Sequence, residues 1–298
     1  TSRTIADGLR TQSVGERILS LMSLLGNGTE VMQREEDSVV GRQIQVFTDV
    51  LVVDIQGGHE GLIVEAFLRV IPCFVFKIEI SFDFSMTNTI NALGANPGVY
   101  VLVTLRSDAS MTNYGSDDAT YVPTTATDSV YTALVDTFAI SKFVMFGVSN
   151  EPGGNSVSNA SLRSAMDHAV GVIRAEEDKL GVPHHVVSVQ GNNWTSDISF
   201  YASSPLAQDN VVYEVHGYPP PASSYTYSNL PVILGEYGNL TNSSAFFADL
   251  ESKQIPSLAW DFDSFSDCSP DLLSINQSAT SLVPSAWGVT VQSYLLAH

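Results

Sequence analysis

The 298-residue chain is 44% hydrophobic and only 15% charged, enough for one large core or two ordinary domains, and not the composition of a disordered chain. Thirteen Lys and Arg against 32 Asp and Glu leave a net charge of −19 and a pI near 4.4, excluding the basic surfaces that nucleic acid and anionic membranes require. No apolar run reaches the roughly 18 residues of a membrane span.

In chain order, residues 1–45 hold one helix candidate, 14–25, and a polar stretch of unclear role. Residues 46–54 read as a first strand, and the second is either 67–71 or 74–82. Between them, QGGHEG at 56–61 offers glycines without the spacing or following helix of a phosphate-binding turn. From residue 98 the pattern becomes regular. Short β-branched runs at 99–105, 143–148, 186–189, 211–215, 232–234 and 257–260 fit strands buried on both faces. Helical spacing lies between most of them. Residues 127–139 align Val130, Leu134, Val135 and Phe138, and 158–180 align Leu162, Met166, Ala169, Val170 and Ile173 before a stop at Gly181. Residues 243–253 and 284–297 are further helix candidates. Strand-then-helix repetition predicts parallel strands with crossover helices, here an α/β fold, a (β/α)8 TIM barrel. No linker divides the chain, so a single domain over 1–298 is expected.

In such a barrel the residues at the C-terminal strand ends face the active site. Those positions hold Arg106, then Asn150 and Glu151, then Asn192 to Trp194, then His216 and Tyr218, then Glu236, and finally Trp260. Two glutamates thus emerge on opposite sides of one mouth. Paired carboxylates across a pocket are the machinery of glycoside hydrolysis, one giving a proton to the leaving oxygen and the other attacking the anomeric carbon. Their environments must set the two apart, since the residue types are identical.

The segments SNEP, VHGY, LGEYGN and LAWDFD, in this order and spacing, resemble glycoside hydrolase family 5, which includes cellulases and β-mannanases in a clan of retaining (β/α)8 glycosidases. The resemblance covers residues 98–298 well and the first third poorly. It implies Glu151 as acid/base and Glu236 as nucleophile. It further implies that Asn150 bonds the sugar 2-hydroxyl, that Tyr218 holds the nucleophile ionised with His216 in its polar network, and that Trp260 is a stacking platform. The family usually has an arginine near the end of strand two, for which FLRVIP offers Arg69; if the second strand is FVFKIEISF, that slot has no arginine and Arg69 falls on a helix. Many members carry a histidine at the end of strand three, where this chain has Arg106, which could line a glycone subsite or support the nucleophile.

Trp194 could form another sugar platform or cap the barrel. Cys73 and Cys268 would follow strands two and eight on one rim, where a disulfide is geometrically possible and would agree with export. His59, His168, His184, His185 and His298 form no metal-ligand spacing, and His184–His185 read as a solvated loop. Six Asn-x-Ser/Thr sequons, at Asn27, Asn159, Asn193, Asn239, Asn242 and Asn276, matter only in a eukaryotic secretory pathway. The expectation is a secreted, monomeric, retaining endo-β-1,4-glucanase acting on a β-linked polysaccharide, with no nucleic-acid or membrane partner and neither metal nor cofactor. The alternatives are the same chemistry on β-mannan, xyloglucan or β-1,3-glucan, and a catalytically inactive carbohydrate-binding barrel.

Overall fold

The structure, a computed structural model, describes residues 42–47, 50–55, 64–70, 73–80, 87, 90, 99–105, 122–152, 157–261, 270–274 and 283–297. The chain forms two compact units, Thr1–Ala66 with Asp261–His298, and Phe67–Trp260. In the first, β1 (Arg42–Phe47) and β2 (Val50–Ile55) make a two-stranded antiparallel sheet with Phe47 opposite Val50. Residues 46–54 are therefore not the first barrel strand, which corrects the sequence reading. They take in the end of β1 and most of β2, and in the sequence the apolar run between Val46 and Val53 is interrupted only by Thr48 and Asp49.

Eight strands close into a barrel: β3 (Val64–Val70), β4 (Cys73–Ile80), β5 (Val99–Leu105), β6 (Val144–Gly147), β7 (Val187–Gln190), β8 (Val211–Gly217), β9 (Val232–Tyr237) and β10 (Ser257–Ala259). The order around it is β10-β3-β4-β5-β6-β7-β8-β9. Successive strands from β4 to β10 pair in parallel, so their C-terminal ends share one rim. Both ranges considered for strand two are strands, β3 being the first of the barrel and β4 the second. In the sequence, Pro72 lies between the two ranges, and a proline has no N–H to give a ladder.

The helices follow the predicted stripes. α1 (Asp128–Phe138) buries Val130, Tyr131, Leu134, Val135 and Phe138. α2 (Asn159–Leu180) starts where the Ser158 hydroxyl accepts the Ser161 N–H, and ends where Gly181 takes φ 67°, a left-handed turn that glycine adopts without a Cβ penalty. Leu162, Met166, Val170 and Ile173 of α2 are fully buried, each worth about 1.5–3 kcal/mol of transfer free energy. Shorter pieces follow: α3 (Ser199–Ser203), α4 (Ala222–Tyr225) and α5 (Ser243–Lys253), the last capped by Asn242. In the first unit, α6 (Ala286–Ala297) begins two residues later than the pattern suggests. Pro284 is bridged to Leu273 instead, and the Ser285 hydroxyl accepts the Gly288 N–H to start the helix.

At the N-terminal end of β7, a buried ionic cluster fastens the end of α2. Arg174 Nη1 donates to Glu177 Oε2 at 2.6 Å, and the His185 backbone N–H donates to Glu177 Oε1 at 2.8 Å, with His185 Nδ1 2.7 Å from the same oxygen. A second Arg174 nitrogen donates to the Asp209 carbonyl at 2.8 Å. Burial pushes the Glu177 carboxyl upward, but its bonds from His185 and Arg174 outweigh that and leave it below the usual carboxylate value. His185 is thus buried rather than solvated, because it supplies the donors that a buried carboxylate needs. His184 is the outer partner, 2.7 Å from Asp209 and 3.1 Å from Asp178.

Candidate active site

After β6 the chain leaves the sheet through Val148-Ser149-Asn150-Glu151. The Tyr131 hydroxyl of α1 donates to the Val148 carbonyl at 2.5 Å. Glu151 then takes φ 43°, left-handed for a residue with a Cβ and costing on the order of 1–3 kcal/mol. Gln190, the buried last residue of β7, holds it there. Its Oε1 accepts the Glu151 N–H at 2.5 Å and the Thr195 hydroxyl at 2.9 Å, while its Nε2 donates to Asn150 Oδ1 at 3.4 Å. One amide therefore aims both residues of the Asn-Glu pair.

The next two strands deliver the rest. On β8, Glu214 and His216 share a face because side chains alternate along a strand. His216 stands beside Glu236 of β9 in the register. Its Nδ1 lies 2.8 Å from Glu151 Oε1 and 3.2 Å from Glu236 Oε1, and its Nε2 lies 2.9 Å from Glu214 Oε1. The Tyr218 hydroxyl, just past β8, donates to Glu236 Oε2 at 2.6 Å. Both β8 and β9 run further than their apolar cores suggest, so His216 and Glu236 are strand residues rather than loop residues. That makes them rigidly placed, Glu236 being buried and Glu151 half-exposed at 29% of its side chain.

One donor atom each from Glu151, His216 and Glu236 lie within 4.8 Å of one another. Such a trio could hold a metal ion, although the His216 distances to both carboxylates are those of hydrogen bonds. The separation bears directly on the paired-acid chemistry. Retaining glycosidases hold their two carboxyls about 5–5.5 Å apart, whereas inverting ones leave about 6.5–9.5 Å for a water. One oxygen of Glu151 and one of Glu236 lie within 4.8 Å, an approach that accords with the shorter separation.

Trp260 follows β10, is 6% exposed, and stands edge-to-face with Tyr218 at a centroid distance of 6.4 Å and 87°. Its backbone N–H donates to the Tyr237 carbonyl at 2.9 Å. Trp194 is half-buried in a left-handed run with Asn193 and Thr195, at φ 50°, 54° and 61°. That loop is closed by an Asn192–Asp197 bridge and tied through the Asn192 amide to Val157 and Asn159. Arg69 lies in β3, the first barrel strand, so it is neither at the end of strand two nor on a helix, and β4 itself contains no arginine. Cys73 opens β4 rather than following it. Arg106, Cys268 and hence the proposed disulfide lie outside the described residues.

Gln190, Glu214, Ser188 and Thr195 were not singled out from the sequence. A polar side chain every second residue in SVQ and YEVHG was the available signal, since a buried strand has no apolar reason to carry one.

Residues 81–228 match the family model of cellulase, glycosyl hydrolase family 5. The matched span includes Asn150, Glu151, His216 and Tyr218. Among solved structures, a β-mannanase from Streptomyces thermolilacinus is similar at 19% identity and TM-score 0.57, over 74% of this chain and 81% of that one. The catalytic domain of Thermobifida fusca endoglucanase Cel5A is similar at 17% identity and TM-score 0.57, over 74% and 81%. The mannohexaose complex of Thermomonospora fusca β-mannanase is similar at 19% identity and TM-score 0.52, over 71% and 76%. These likenesses show the (β/α)8 fold. No curated protein matches the sequence.

Proposed function

We propose, for a chain whose residues 81–228 carry the glycosyl hydrolase family 5 match, that it is a secreted, retaining endo-β-1,4-glucanase. The observation that carries this reading is the close approach of Glu151 and Glu236 around His216, with donor atoms within 4.8 Å. Glu236 attacks the anomeric carbon while Glu151 gives its proton to the leaving oxygen. A glycosyl-enzyme ester forms and the glycosidic bond breaks. Glu151, now ionised, then takes a proton from water, which attacks the same carbon and releases Glu236. Tyr218 donates to Glu236 Oε2 and steadies its negative charge before attack, which leaves Oε1 as the attacking oxygen. Asn150, aimed by Gln190, bonds the 2-hydroxyl, a contact that strengthens in the transition state. A net charge of −19 does not oppose a neutral glucan, and a polymer that cannot cross a membrane requires export.

Reducing-sugar release from carboxymethylcellulose, mixed-linkage β-glucan, mannan and xylan tests the reading, with NMR of the first-formed anomer. Glucan hydrolysis with retained configuration is expected. Inverted product would remove the mechanism, and inactivity on every polymer with sugar binding intact would replace the enzyme with a binding barrel. A β-mannanase is the second reading, favoured by the β-mannanases among the similar structures; hydrolysis of mannan alone would establish it.

A further inference from the structure

We propose, resting on the glycosidase reading, that Glu214 is a positioning residue that fixes a hydrogen on His216 Nε2 and so directs the Nδ1 edge to both reacting carboxylates. Glu214 is completely buried in the middle of β8, where a carboxylate survives only with partners. Each oxygen has its own. Ser188 of β7 donates to Oε2 at 2.6 Å, and His216 Nε2 meets Oε1 at 2.9 Å. The neighbouring strand makes room: a Cβ at Gly235 of β9 would lie 2.0 Å from Glu214 Oε1. Three adjacent strands thus build one cradle for this carboxylate, directly behind the histidine and away from Glu151.

An ionised carboxylate only accepts, so Nε2 must donate to it. Nδ1 is then the position that changes. It accepts from Glu151 when that carboxyl carries the proton, and donates to Glu151 or Glu236 when the ring carries it. Among the described residues, the titratable groups facing the ring are Glu151 after β6, Glu214 on β8 and Glu236 on β9, with Tyr218 behind Glu236. Glu214 thus acts on the ring through its tautomer, leaving Nδ1 as the edge that meets Glu151 and Glu236.

The test is two-bond 1H–15N spectroscopy of 15N-histidine-labelled protein, with His216 assigned by its loss in His216→Asn. In the unsubstituted protein Nε2 should carry the hydrogen, held by the Glu214 carboxylate. Glu214→Gln keeps the shape and can still bond Ser188. With its amide oxygen accepting from Ser188, its NH2 faces His216 Nε2, so the hydrogen should leave Nε2 and the two-bond pattern should change to the Nδ1–H tautomer. The substitution should also cut kcat by roughly 10–100-fold, the equivalent of one charged hydrogen bond, with KM nearly unchanged. An unprotonated Nε2 in the unsubstituted protein overturns the proposal, as does an unchanged tautomer in folded Glu214→Gln. If that variant does not fold, the tautomer of the unsubstituted protein decides alone. Absence of hydrolysis would sink the glycosidase reading while leaving the ring spectrum to judge Glu214.

Discussion

Two buried histidines sit at opposite ends of neighbouring strands, His185 just before β7 and His216 near the end of β8. At the lower end, one carboxylate, Glu177, receives an arginine, a backbone N–H and an imidazole. At the upper end, among the described residues, three carboxylates converge on one imidazole. The first arrangement satisfies a charge and closes the fold. The second gathers three carboxylates around one ring, and on the proposed function that is where a proton moves. Barrels of this type carry chemistry at the C-terminal rim and stability at the other, and on the proposed function these two histidines divide in that way.

The sharpest way to break the comparison is to neutralise one carboxylate at each end. Glu236→Gln should reduce kcat/KM by more than about a thousandfold, near 4 kcal/mol of transition-state stabilisation. Its thermal midpoint should hold or rise, because one of two close negative charges is gone. Glu177→Gln should do the reverse. It leaves Arg174 buried beside a neutral amide, so unfolding by denaturant should show a loss of about 3–5 kcal/mol, while activity per folded molecule stays near that of the parent. A stability loss in Glu236→Gln as large as that in Glu177→Gln would erase the distinction between the two ends.

The same pair separates by pH. The folded Glu177 carboxyl lies below its ordinary value of 4.5, so its stabilisation is complete above that value and is lost as pH falls through the folded pKa. Acid unfolding followed by circular dichroism should therefore steepen below pH 4.5 in the parent and flatten in Glu177→Gln. Equal slopes would mean that the cluster contributes no proton linkage. A smaller effect is expected from Gln190→Ala. It removes the acceptor that holds Glu151 at positive φ, and kcat should fall roughly tenfold or more with the pH optimum in place. An unchanged kcat would show that the loop keeps Glu151 aimed by other means.

Much of this division was readable before the fold was known. Glu151 and Glu236 stood out because a charged residue ends an apolar run in GVSNEP and VILGEY, and parallel strands bring such ends to one rim. The α2 boundaries followed from Ser158 and Gly181, whose chemistry is local. Gln190 and Glu214 were not readable, since their meaning lies in residues 39 positions away at Glu151 and 26 away at Ser188, contacts that no local period encodes. The β1–β2 pair is unreadable for the opposite reason: Val46-Phe47 at the end of β1 and the apolar start of β2 read as one run, so periodicity shows no boundary between them. His185 was misjudged because its burial depends on Glu177 and Arg174, both on a helix whose charges look solvated in sequence.

The weakest contrast lies within the lower cluster itself, between its buried core and its rim. The Asp209 carboxylate, bonded to His184, raises the His184 pKa above its ordinary 6.5; partial burial opposes this and Asp178 adds to it. A raised folded pKa gives stability that is fully present below pH 6.5 and is lost as pH rises through the folded value. That is the opposite sign to Glu177. Because this pair is solvent-facing, salt screens it and the effect on stability is small. His184→Gln should therefore lower the thermal midpoint slightly at pH 6 and leave it unchanged at pH 9, with the difference shrinking in high salt. A loss that persists at pH 9 would assign His184 to packing, through the Asn210 amide that donates to its carbonyl at 3.0 Å and the loop it joins to β8.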